Sequence, residues 1–414
     1  MPSTQRQPYW IEEREVEPRW SIWISGLVNL TVLVAAVFLV WWVIFSNEGI
    51  FQLYTPLLGF SLVIWTLLII LWQAELFDFW PFRRSFMRSA HPLAKGSLFT
   101  AITIAMYLFL IFGVVYFLIG KYGITYFSWG SLMEYGDLGQ DPSTARETTS
   151  WAMLCLSIPF FLISVWFMRG VKNDLFHELK EPKFGLANWL FVAVLAIPAY
   201  VIFFHPHLGA MFYPKQIYTA VPTWWQSISQ TNSAEYTVGI FFCSVIGVFY
   251  TEHLWDGWPL HYIKKQPWRF IVFALGSLIL GYLIFRIQLF IFDWLWNEAY
   301  IGGQNKASFG WRYSHTVTMA NFVLVIALIQ NLFFGAAYEK LQKVPRCILK
   351  TAVAILLGLA FAWGYYTWGP TLLGVTKGVS HPSENASAFL IMVINLLMIQ
   401  DLFMDRWPGY QLKR

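Results

Sequence analysis

Apolar residues along this chain run in long blocks, separated by short stretches rich in Arg, Lys, Pro, Gly and Trp. An α-helix rises 1.5 Å per residue, so about 20 apolar residues cross the ~30 Å hydrocarbon layer of a bilayer. Ten blocks reach that scale, at 21–46, 56–79, 97–119, 151–169, 187–204, 236–254, 269–296, 314–337, 348–368 and 386–404. The pattern predicts an all-α integral membrane protein of about ten transmembrane helices filling 21–404. Short tails, 1–20 and 405–414, flank them. The polar first tail, with Glu12, Glu13, Glu15 and Glu17, has no cleavable-leader pattern.

Composition narrows the class. Hydrophobic residues make up 57% of the chain and charged ones 12%, against about 25% charged in soluble domains. A soluble enzyme, a disordered chain and a nucleic-acid binder are thereby excluded. Cys155, Cys243 and Cys347 lie in or beside blocks and make no disulfide framework.

Charge then orients the blocks. Connections around Arg83–Arg88, Arg169–Lys183, Lys264–Arg269 and Lys340–Lys350, with the two tails, hold twenty-one of the 28 Lys and Arg. The alternate connections hold six, and Arg286 falls within a block. The positive-inside rule places both termini in the cytoplasm of an inner membrane. The outer connections 120–150, 205–235, 297–313 and 369–385 are long and aromatic-rich.

The inner ends of alternate blocks repeat. Asp78-Phe79-Trp80-Pro81, Asp256-Gly257-Trp258-Pro259 and Asp405-Arg406-Trp407-Pro408 follow blocks two, six and ten, and Asn331-Leu332-Phe333-Phe334 is a degenerate copy after block eight. Five tandem helical hairpins in parallel orientation are the simplest organisation. Proline stops each helix and Trp anchors it at the headgroups. Carboxylates are disfavoured at a helix C-terminus, the negative end of its dipole. Glu75, Asp78, Glu252, Asp256, Asp401 and Asp405 therefore want cationic partners, and form either an ion-paired packing collar or a ring of acids at an inner vestibule.

Polar groups at membrane depth supply the candidate substrate site. A bare Arg near a span centre costs about 2.5–3.5 kcal/mol, so Arg286 is expected to be buried and paired, with an anionic substrate group, Asp293 or Glu298 as partner; the alternative is that it snorkels to the outer interface. Asn321 and Asn395 lie within blocks eight and ten, where packing against a neighbouring helix competes with ligand contact. Outside, His205, His207, His315 and Glu235 could together hold a metal, although Asn232-x-x-Glu235 and Thr144-x-x-Glu147 also read as helix capping boxes.

The preferred reading is a permease or secondary transporter for a small solute, with aromatic side chains suited to a cationic amine. A membrane-embedded subunit of a larger redox, quinone- or lipid-binding complex is the alternative, and an integral membrane enzyme with an outer-face metal site the third. The bilayer is the first expected partner, then a second copy or partner membrane subunits. No cofactor is assigned.

Overall fold

In this computed structural model the described residues are 15–82, 84–120, 142–171, 175–176, 178–205, 234–263, 265–295, 309–374 and 382–413, with 127 and 224. The long outer connections fall largely outside them.

Ten helices occupy the ten blocks. They are α1 (Ile22–Val40), α2 (Pro56–Leu71), α3 (Pro92–Tyr107), α4 (Pro142–Trp166), α5 (Lys183–Phe203), α6 (Ala234–His253), α7 (Trp268–Leu295), α8 (Phe309–Phe334), α9 (Lys343–Leu372) and α10 (Pro382–Met398). Proline opens α2 and α3 where its missing N–H costs nothing. Pro159 and Pro198 lie within α4 and α5, which run on through them. Several helices end in wider π-helical turns, among them Trp72–Leu76 after α2, Phe167–Val171 after α4 and Ile399–Phe403 after α10. Among the described residues nine helices are long and apolar enough to cross a membrane, so the chain is a polytopic membrane protein. The sixth block, α6, is not among the nine. Thr237, Ser244, Thr251, Glu252 and His253 dilute it.

The even-numbered helices form an inner ring. α2 packs on α4, α4 on α6, α6 on α8, α8 on α10, and α10 returns to α2. Four of them bury 72–89% of their apolar windows, whereas the five odd-numbered helices bury only 22–33%. The odd helices line the outside of the ring, each touching it along one narrow stripe. On α1 the stripe is Ser25, Asn29, Leu33 and Val37, and on α5 it is Asn188, Val192, Ala196 and Tyr200. That spacing of three to four is one face of a helix.

A single rule places the outer helices at their inner ends. Each seats on the inner helix three places back in chain order, counted cyclically. Phe77, after α2, fills the space a side chain would take at Gly185 of α5. Met404, after α10, does the same at Gly96 of α3, and Phe334 of α8 at Gly26 of α1. After α6 the Trp255 indole N–H instead donates to Thr351 Oγ1 of α9, at 3.0 Å.

The three Asp-x-Trp-Pro turns share one backbone. Asp78 and Phe79, Asp256 and Gly257, and Asp405 and Arg406 all have φ between 43° and 82°. The residue after each Asp donates its N–H back to the last helical turn: Phe79 to Gln73 O, Gly257 to Thr251 O and Arg406 to Gln400 O, at 2.7–2.9 Å. Non-glycine residues rarely hold such angles, and Asp is among the few that tolerate them.

Two short strands meet at the same face. β1 (Val16–Pro18) pairs antiparallel with β2 (Tyr410–Leu412), so these two segments lie on one side of the bundle. Asn29 accepts from Gly409 N–H at 2.7 Å and the Tyr410 hydroxyl donates to Phe333 O at 2.5 Å. Burial pushes that phenol's pKa above its ordinary value despite nearby Arg406, which keeps it a donor.

Gly185→Val should lower stability by about 1–3 kcal/mol, because the new methyl groups collide with the Phe77 ring. Thermal melting in detergent reads this; an unchanged midpoint would mean that Phe77 is not seated on Gly185.

Candidate functional site

Two features concentrate chemistry: an axial cavity and a collar of charges at the inner ends. The cavity, about 20 Å³, lies on the axis of the inner ring. Every inner helix contributes to its wall, through Leu67, Phe161, Phe242, Asn321 and Ile394 among others. These residues sit in the middle and inner parts of their helices, and apart from Asn321 the lining is apolar. Asn321 is fully buried, and neither of its amide atoms has a hydrogen-bond partner among the described residues.

Asn395 is also buried but is spent on packing. Its Nδ2 donates to Val63 O at 2.8 Å, tying α10 to α2. Gln73, Gln330 and Gln400 behave similarly, with Nε2 donating to Thr103 Oγ1, Lys350 O and Trp407 O.

Arg286 is not brought to this site. The buried stripe of α7 passes through Ser277, Phe285 and Leu289, which leaves Arg286 exposed on the side away from the ring. The expected burial fails because α7 is an outer helix and 286 is one residue off its contact stripe. Arg286 lies in the second half of α7, which runs to Leu295, and its long side chain can extend along the helix toward the interface. The side chain of Asp293 and all of Glu298 lie outside the described residues.

The inner carboxylates are ion-paired. The two guanidinium Nη atoms of Arg169, in the π turn after α4, donate to both carboxylate oxygens of Glu75, after α2. Arg169 Nε is also 2.8 Å from Glu252 of α6, with His261 at 3.4 Å from the same oxygen. One guanidinium thus bridges three successive members of the ring. Asn331 of α8 and His253 of α6 are 2.9 Å apart, and Arg406 Nη1 donates to Leu332 O at 3.0 Å, joining α10 to α8. Within the collar these polar links span four junctions, and α10 is tied to α2 higher up by Asn395. Phe79, Phe99 and Phe403 pack together at the fifth.

The remaining acids are held likewise. Asp401 takes Arg406 Nε at 2.6 Å, and Asp256 takes Arg346 at 2.5 Å and Lys350 at 3.7 Å. Asp405 pairs with Lys95, and both side chains are almost wholly buried. Lys95 also donates to Met87 O at 2.8 Å. Asp78 is half-buried in its turn. Glu75, Arg169 and Asp401 all stand in π turns, whose extra residue re-aims the side chains that follow.

Sequence reasoning counted Lys95 and Arg169 only as inner cations. The usable signal for Lys95 was its place after Pro92, already inside the helix and not in the preceding turn. Glu147, read as a local cap, instead accepts from Leu57 N–H at 3.1 Å and caps the N-terminus of α2. Of the outer set for a metal, only His205 is described; His207 and the side chains of His315 and Glu235 lie outside the described residues. Among the described residues no cluster of metal-ligating side chains occurs. No protein-family profile, curated protein or solved structure matches the chain.

Two measurements check the collar. Arg169→Ala leaves Glu75 and Glu252 without their shared cation and should cost about 3–5 kcal/mol, with Arg169→Lys recovering only part because an ammonium cannot grip both acids. Lys95→Met should cost a similar amount, and the double variant Lys95→Met/Asp405→Asn, which keeps a residue that tolerates the positive φ, should regain most of it, since no buried charge is then left alone. Equal melting midpoints for the single and double variants would show that the pair is not coupled.

Proposed function

We propose that the protein is a permease that passes a small solute along the axis of the inner ring, with both termini in the cytoplasm. The observation that carries this reading is the axial cavity, to which all five inner helices contribute at membrane depth. Ligand sites of helical membrane proteins form between helices, near the bilayer midplane. The ion-paired collar surrounds the cytoplasmic ends of the same five helices, so motion there would be felt along the axis. In this reading the six inner carboxylates serve gating and packing rather than substrate contact. The cavity also speaks against a cationic amine as cargo, since neither a carboxylate nor a Trp or Tyr lines it. Asn321 remains the candidate contact, whereas Arg286 stands off the ring and Asn395 Nδ2 is committed to Val63 O.

A second reading, a membrane-embedded subunit of a larger assembly, is favoured by Arg286. A guanidinium on the outward face of α7 suits an acid on a neighbouring membrane helix or a lipid phosphate. Flux into liposomes separates the two. Reconstituted protein should raise the permeability to a graded series of small uncharged solutes at least several-fold over protein-free liposomes. Permeability equal to protein-free liposomes across the series, with a stoichiometric partner retained on gentle purification, would replace the permease by the subunit.

A further inference from the structure

We infer that the axial cavity is the closed gate of the path proposed above, a dry constriction that stops water and polar solutes because nothing on its wall can hydrogen-bond to them. The inference rests on that axial path and names how it is shut.

Three observations carry it. The first is the wall. Leu71, Phe161, Val245, Leu328 and Ile394, one from each inner helix, stand on it, and Asn321 turns carbon and not its amide atoms toward the space. Polar side chains are not lacking at this depth, but they are turned elsewhere. Ser157 donates to Leu154 O, Ser244 to Ile240 O and Asn395 Nδ2 to Val63 O. The donors of α4, α6 and α10 are thus spent within or between helices, and the wall stays apolar.

The second is size. One water molecule needs about 10–15 Å³ and roughly two to four polar partners. The cavity offers about 20 Å³ and no polar partner on its wall. An apolar space of this kind stays dry. Larger solutes are stopped by size, and water by chemistry.

The third is position. Buried hydroxyls gather toward the ends of the ring opposite the collar: Thr149 and Ser150 of α4, Thr237 of α6, Thr316 and Thr318 of α8, and Ser387 of α10. Those of Thr318 and Ser387 are 2.6 Å apart. Toward the other ends stands the collar of ion pairs. The apolar cavity therefore lies between two polar zones of the ring, the layout of a pore that closes by dewetting.

The test uses the full chain in lipid and sets polarity against space at Leu328, which is buried on the wall. Leu328→Asn roughly keeps the side chain's shape and adds two polar atoms, whereas Leu328→Ala adds space and no polarity. Osmotic shrinkage of liposomes reads water flux. It should rise at least about five-fold over the wild type in Leu328→Asn and stay within about two-fold of it in Leu328→Ala. A high-resolution density map in nanodiscs should show the space empty in the wild type and in Leu328→Ala. In Leu328→Asn a feature should appear within about 3.2 Å of the introduced amide. If Leu328→Asn does not fold, Val245→Thr carries the same expectations, since it keeps the shape and its hydroxyl can donate to Phe241 O within the helix.

Ordered water in the wild-type cavity, or a polar variant that stays dry, overturns the gate. Flux that rises as much in Leu328→Ala as in Leu328→Asn replaces dewetting by a steric plug and overturns it too. A polar variant that takes up water yet conducts no faster than the wild type shows that the cavity is dry but is not the gate. If both then match protein-free liposomes, the axial path falls with it.

Discussion

A helix ends with its last four carbonyls unsatisfied, and at a membrane boundary those carbonyls cannot be left facing lipid. Five inner helices end together at one face of this protein, and meeting that requirement organises much of what surrounds them. Asn188 of α5 donates to Leu76 O, Arg269 of α7 to Arg169 O and Lys350 of α9 to His253 O, while Asn29 of α1 donates to Arg406 O in the turn that follows α10. Each donor stands on an outer helix, so satisfying an inner terminus also fixes where an outer helix sits. The remaining outer helix, α3, is fixed by Lys95 on Asp405. Between helices in lipid there is little hydrophobic drive. Bonds of this kind, with the close seats at Gly26, Gly96 and Gly185, take over the work of placing elements.

The charges follow from the same geometry. Acids at these C-termini oppose the helix dipoles and would be unstable alone. They are tolerated because cations reach them: Arg169 at Glu75 and Glu252, Lys95 at Asp405, Arg346 at Asp256 and, from the turn after its own helix, Arg406 at Asp401. Arg169 serves two acids because its planar fork presents donors on more than one edge, which an ammonium could not do. The result is a girdle in which neighbouring inner helices share ionic partners. Above it the ring is mostly apolar, with a small space beside Asn321.

Much of this was legible in the sequence, though unevenly. The apolar helices and the recurring Asp-x-Trp-Pro turns could be read directly, because length and local turn chemistry are properties of short segments. The need of the inner acids for partners followed from the helix dipole. Which helices are inside could not be read, since inner and outer blocks are equally apolar and lipid resembles a protein core. That ambiguity misplaced Arg286: a charge in a long apolar block looks buried until the block proves to be an outer one. Neither could the cyclic order be read, because the partner of Gly185 is Phe77, far back in the chain, and nothing local marks the pair. Asn321 and Asn395 looked alike in sequence, and only the neighbouring carbonyl of Val63 separates them.

The groove that receives α1 is built by α8 and α10. α1 is synthesised before both, so its seat does not exist until α10 has been made. Until then it must persist as a lone span in lipid, with Asn29 lacking both Arg406 O and Gly409 N–H. Pairing of β1 with β2 likewise waits for residues 410–412. A chain cut before α10 would keep most of these helices yet leave α1 undocked.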